Sequence, residues 1–344
     1  MKQRPEGFRA VEYVIFSAVT VAVILMCICL GSVTLPLKDT LTVLGNIFTG
    51  NPQPEGVLAA SIIPTVRLPR VLCVALVGAS LSVCGAAMQG LLKNPLADGT
   101  TMGVSSGASL GAIIALAFGI TFPSLPFAGS MLMAVIFAFL SLLVILGLAY
   151  KLDSSLSTNT IILIGVIFSM FVSSASNLVI TFAGERVKSI TFWTLGTLQG
   201  SSYTNALILA VTLAIFGGVI LKCARELNAF AVGEDNARNI GVNVRRIKMT
   251  VLICISVLIG ICVSVSGTIG FVGLVTPHML RSITGPNHKR LLPAAMYGGA
   301  VFLLLSDLVA RVLFSPRELP IGVVTSFVGS VVFVYIFYKT RNGR

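Results

Sequence analysis

FAGSMLMAVIFAFLSLLVILGLAY, residues 127–150, carries no charged side chain from end to end. It is longer than the roughly 20 apolar residues a helix needs to cross a bilayer. Its apolar positions are continuous rather than alternating, so it reads as a spanning helix and not as a strand of a polar-lumen barrel. Similar runs lie on both sides, at 14–35, 71–92, 103–120, 160–183, 206–221, 249–267, 269–283, 291–314 and 321–338, and bring the expected count to ten. The eighth, 269–283, is short and interrupted by Gly273 and Pro277. The segment between the first two runs, to about residue 69, reads as polar and Pro-containing. The fold class is all-α and polytopic.

Composition agrees. Of 344 residues 56% are hydrophobic and 10% charged, and the mean hydropathy is +0.98. Soluble domains carry about 25% charged residues, so a water-soluble fold is excluded, as is disorder. The net charge of +12 is no nucleic-acid signal, because the basic residues sit at the ends of apolar runs and no basic face with interleaved aromatics occurs. With ten spans both termini fall on one side, and positive-inside counting places them in the cytoplasm of an inner-membrane protein. Of the 24 Lys and Arg, only Lys38, Arg67, Arg70, Arg186, Lys188, Arg311 and Arg317 then fall outside. The first run reads as an uncleaved span rather than a signal peptide. The seven cysteines show no C-x-x-C and no ligand spacing, so they read as packing residues, with no metal bound.

At an offset of 182, Gly78, Ser82, Val83, Gly85, Leu92, Pro95 and Gly103 recur as Gly260, Ser264, Val265, Gly267, Leu274, Pro277 and Gly285. The copies begin an odd number of crossings apart, which makes the repeat inverted, a transporter signature. Its halves are 67–200 and 249–338 of a single domain, 1–344, with a charged cytoplasmic segment, 222–248, between them. Small residues in membrane helices also recur simply because they pack closely.

Catalytic constellations are missing. His278 and His288 have no partner motif, and residues 85–92 resemble half a P-loop without its Lys-Ser/Thr, so the chain is expected to be no enzyme. Asp307 is the one carboxylate inside an expected span, too little for an ion-coupled carrier, which usually carries several such groups. In the fifth span Gly165, Ser169, Ser173, Asn177 and Thr181 share one helix sector. That sector suits either a wet pathway or close helix packing. In 226–241, Leu227, Phe230, Val232 and Ile240 have no core of their own, and exposed apolar surface rimmed by charge marks a partner contact.

RLPR at 67–70, GAAMQGLLKNPLAD at 85–98, GVSSGA at 103–108, WTLG at 193–196, LNAFAVGEDNARNIG at 227–241, GTIGFVGLVTPH at 267–278 and ELPIG at 318–322 resemble the permease subunits of iron-siderophore, haem and cobalamin ABC importers. The resemblance runs through nearly the whole chain in order. It implies two permeases, identical or related, around a central path, two cytoplasmic ATPases holding ATP and Mg, an extracytoplasmic substrate-binding protein, and no cofactor on this chain. By position, Arg67, Arg70 and Arg311 match arginines that dock the binding protein. Asn94, Leu96, Thr158 and Asn159 match a cytoplasmic gate, and Leu227, Asn228, Gly233, Glu234, Ala237 and Gly241 match helices that couple to the ATPase. Ser169, Ser173, Asn177 and Thr181 become pathway candidates. The implied substrate is a metal chelate, a ferric siderophore before haem or cobalamin; the rival class is a stand-alone ion-coupled carrier. Gly329-Ser330-Val331 departs from the family's Gly-Ala-Pro.

Overall fold

The structure is a computed structural model describing residues 7–33, 35–54, 56–99, 102–120, 128–153 and 157–342. Phe127 and the terminal Lys2, Arg4 and Arg344 lie outside these. The described residues form helices joined by short turns, with no strand among them. They are α1 (Ala10–Cys29), α2 (Leu37–Thr49), α3 (Leu58–Leu91), α4 (Val104–Phe118), α5 (Ala128–Leu152), α6 (Thr158–Thr181), α7 (Val187–Thr194) and α8 (Tyr203–Lys222). After these come α9 (Ala224–Val232), α10 (Glu234–Asn239), α11 (Val244–Ser266), α12 (Val272–Thr284), α13 (His288–Val312) and α14 (Ile321–Asn342).

Seven of these helices are long and apolar enough to cross a membrane, and α4 and α14 contribute shorter apolar segments. α12, whose 13 residues reach only about 20 Å, occupies the eighth of the ten expected runs, so that each run has a helix among the described residues. Contacts at the helix ends fix the directions. At one end gather the start of α1 (Glu12 with Arg290), the end of α3 (Gln89 with Arg281), the start of α6 (Thr158 with Glu234) and the starts of α11 and α13. At the other end the close of α1 meets Arg67 and Arg311, and Gly196 meets Ile321. α3 and α11 therefore run in opposite directions. The helices that follow each repeat a length order of short, long, long: 15, 25 and 24 residues after α3, then 13, 25 and 22 after α11. The fixed offset of 182 holds only from α3 to α11, because twelve residues, 92–103, separate α3 from α4 where five, 267–271, separate α11 from α12.

The segment before residue 69 is more helical than its prolines suggest. Pro64 and Pro69 each remove a backbone donor, yet α3 runs through both, because residues Ile63–Arg67 widen into a π turn in which Leu68 N–H bonds Ile63 C=O. Arg67 and Arg70 thus lie within a buried helix rather than in a loop ahead of one.

The centre of the bundle is built on glycine. A Cβ on Gly78 would stand 2.3 Å from Gly299 O, and one on Gly85 only 1.8 Å from Gly273 O. α3 therefore touches α13 and α12 backbone to backbone, the approach small residues permit between apolar helices. Two of the glycines of the internal repeat are consequently close-packing positions.

Candidate functional site

α11 runs away from the end that holds Glu234 and Arg281, and α12 returns to it, the two joined by the short link 267–271. Gly267 (φ 67°) and Phe271 (φ 67°), the latter a side chain held in left-handed backbone, bracket a non-helical link. The break is satisfied from outside: Thr197 N–H bonds Ser266 C=O at 2.8 Å, and Thr268 Oγ1 donates to Thr194 C=O. Beside it opens a cavity of about 660 Å³ lined by Leu81, Val263, Ile269 and Phe327 together with Ser105, Thr194, Ser266, Thr268 and Ser326, and by no charged side chain. Gly329 closes against this link, where a Cβ would come within 2.5 Å of Phe271 Cβ. In 329–331 the glycine is thus the residue the break requires, whatever follows it.

On the small-residue sector of α6, Ser173, Asn177 and Thr181 are exposed, Ser169 is half-buried and Gly165 is buried. Ser169 and Thr181 donate to carbonyls one turn back, Gly165 O and Asn177 O, both at 2.8 Å. The apolar Met170 and Phe171 are exposed as well, so α6 offers two faces rather than one.

At the end where α6 begins, α9 and α10 lie across the bundle. Leu227 and Phe230 are wholly buried in its core, a correction to the expectation that they lack one, whereas Val232 and Ile240 remain 72% exposed. Gly233 (φ 141°) makes the turn between the two helices, and Gly241 (φ 89°) ends α10. Ala237 packs inward. Asn228 clips α9 to α13: its Oδ1 accepts from His288 N–H at 2.8 Å and its Nδ2 donates to Asn287 Oδ1 at 2.8 Å. Glu234 is bound within the chain, 2.6 Å from the buried Lys248 ammonium of α11 and 3.4 Å from Thr158 Oγ1 at the start of α6. Asn94 Oδ1 closes a local turn on Leu96 N–H at 2.9 Å, Leu96 is exposed, and Asn159 is exposed beside Thr158. All four gate candidates lie at this end; of them, Thr158 is brought against the α9–α10 unit.

The opposite end holds the three arginines, and all are buried. Arg67 donates to Ile28, Cys29 and Val33 carbonyls of the α1 terminus. Arg70 meets Asp307 and Glu318, each at 2.8 Å, and Arg311 meets Asp307 at 2.8 Å. Glu318 also accepts from Gln199 at 2.7 Å. Burial alone would raise the Glu318 pKa, but the hydrogen bonds from Gln199 and Arg70 outweigh it and hold the carboxyl below its ordinary range. Sequence reading missed Lys248, Gln199 and Glu318 as partners. The signal for Glu318 was its place in ELPIG; Lys248 showed only as a charge opening an apolar run.

The profile of the FecCD transport family matches residues 19–339. An uncharacterized ABC transporter permease, YvrB of Bacillus subtilis, is 41% identical, with 97% of this chain and 95% of that protein covered. The hemin transport system permease HmuU of Yersinia pestis is 37% identical over 81% of this chain and 84% of its own length. A solved ABC transporter of metal-chelate type, in an inward-facing conformation, superposes with a TM-score of 0.82 at 30% identity, covering 94% of this chain and 97% of that one. The chain belongs to the FecCD transport family and is a multi-pass membrane permease of the ABC-transporter class.

Proposed function

We propose that the chain is the permease of an ATP-driven importer of a metal chelate, a ferric siderophore before haem or cobalamin. It would act with a second permease, identical or related, two cytoplasmic ATPases that hold ATP and Mg, and an extracytoplasmic binding protein. The observation that carries this reading is the position of Glu234. It joins the exposed α9–α10 turn to the first residue of α6 and to α11, so a push on that turn is delivered to a helix with a small polar face. In this reading the α9–α10 end faces the cytoplasm, in accord with the positive-inside count, and the gate is formed by Asn94, Leu96, Thr158 and Asn159. The path runs along Ser169, Ser173, Asn177 and Thr181 and past the cavity at the α11–α12 break. That cavity is largely apolar and carries no charge, which suits a bulky chelate held loosely on its way through. At the mouth, the internal bonds of Arg67, Arg70 and Arg311 order the rim on which the binding protein rests.

An ion-coupled carrier is disfavoured by Asp307, whose carboxylate is committed to two guanidiniums and has no freedom to carry a proton across. The test is uptake by proteoliposomes holding the permease with its ATPase, fed by the loaded binding protein. A ferric hydroxamate should enter with ATP, and hemin or cobalamin should not compete. Uptake driven by a proton or sodium gradient without ATP would overturn the reading.

A further inference from the structure

The α9–α10 end also holds a cluster of cations around Arg281 and Lys93. The close of α3, the end of α9 and the α12–α13 turn enclose a pocket of about 250 Å³, lined by Gln89, Lys93, Ala231, Arg281 and His288 among others. Arg281 meets one partner here, the neutral Gln89 Oε1, at 3.1 Å. Lys93 is held in left-handed backbone (φ 47°), and its ammonium lies 3.4 Å from where a Cβ on Gly233 would stand. His288 is 3% exposed. Its Nδ1 lies 2.9 Å from Asn228 Oδ1, and its buried Nε2 has no hydrogen-bond partner. Among the described residues no carboxylate lines the pocket or pairs with either cation. Lys93 is exposed at the rim and Arg281 is half-buried; a charge taken partly out of water needs a counter-charge or full hydrogen bonding, and the Arg281 guanidinium is shaped to receive a carboxylate bidentately.

We propose that this pocket receives an Asp or Glu side chain of the ATPase, between Arg281 and Lys93, an inference that rests on the ATPase-coupled reading above. The neighbours favour a protein carboxylate over a lipid phosphate. The pocket opens beside the α9–α10 turn, where Val232 and Ile240 stand exposed, and an apolar ridge next to two cations complements a protein surface rather than a headgroup layer. Charge complementarity at such a rim sets association and register.

The experiment is recovery of the ATPase on affinity-purified permease, co-expressed and measured per mole of monodisperse permease. Lys93→Glu and Arg281→Glu together should lower recovery roughly tenfold or more, and wild-type recovery should fall as salt rises. One acidic residue of the ATPase changed to Lys should restore recovery with the Glu variants. Lys93→Glu alone, at an exposed site that leaves folding intact, should give part of the loss. Val232→Asp with Ile240→Asp tests the underlying reading. If that pair releases the ATPase while the Lys93 and Arg281 reversals do not, the pocket proposal is wrong and the reading stands. If neither pair has an effect, both are wrong. If the reversals act only in vesicles containing phosphatidylglycerol and not in phosphatidylcholine, the occupant is a headgroup and the proposal is overturned.

Discussion

At one end of α13, Arg70 and Arg311 share Asp307 and Arg70 also reaches Glu318; at the other, Arg281 and Lys93 stand beside the α9–α10 turn with a glutamine as the one polar neighbour bound. Both clusters are basic, and in the sequence they look alike. They differ in compensation. A buried cation whose counter-charge lies in the same chain belongs to the framework, because losing that partner strands a charge out of water. A half-buried or exposed cation, such as Arg281 or Lys93, with no counter-charge in its own chain is available to a second molecule. By this criterion the arginine end holds the fold together, and the α9–α10 end meets a partner. Glu234 and Lys248 lie between the two kinds, an internal pair placed next to the partner surface.

The largest effect expected from breaking this comparison is on the framework side. Asp307→Asn leaves two guanidiniums buried without their shared carboxylate and should cost about 3–5 kcal/mol, read as a lower melting temperature in detergent or loss of monodisperse protein. Next comes Glu234→Gln, which removes the carboxylate 2.6 Å from the buried Lys248 ammonium and should cost about 2 kcal/mol. Adding Lys248→Met should return the stability but not the coupling, so that the ATPase turns over without uptake. If the double variant transports like wild type, Glu234 does not carry movement from the turn to α6.

How much of this was legible in the sequence follows from the range of each interaction. The ten runs of apolar residues are local properties, and each appears in the structure as a helix. α12 was read as short because Gly273 and Pro277 are visible in it. The prolines at 64 and 69 misled, since a π turn absorbs them and carries α3 on past Arg67 and Arg70. The pairing of Arg70 with Asp307 spans 237 positions, and no periodicity connects residues that far apart. Arg311 with Asp307 is one helical turn apart and could be anticipated. Leu227 and Phe230 looked homeless because their helix packs on α3 and α13, far off in sequence, while Val232 and Ile240, on the same segment, do remain exposed.

A smaller effect sharpens the framework side by pH. The Glu318 carboxyl titrates below its ordinary value, so the stability it contributes is complete above about pH 4.3 and is lost as pH falls through the depressed folded value. Melting temperature should therefore decline at acid pH less steeply in Glu318→Gln than in the wild type. Equal slopes would remove Glu318 from the network. The smallest expected change in stability is at Val232→Asp and Ile240→Asp, within about 0.5 kcal/mol at exposed positions, although ATPase recovery should fall.

The comparison is tested most directly by measuring two properties on the same two proteins: melting temperature, and ATPase recovered per mole of folded permease, for Glu318→Gln and for Lys93→Glu with Arg281→Glu. The account predicts a crossed result. Glu318→Gln lowers the melting temperature and keeps the ATPase, whereas the double reversal keeps the melting temperature and loses the ATPase. If Glu318→Gln releases the ATPase at unchanged stability, or the double reversal melts early and retains it, internal compensation does not separate framework from partner surface in this permease.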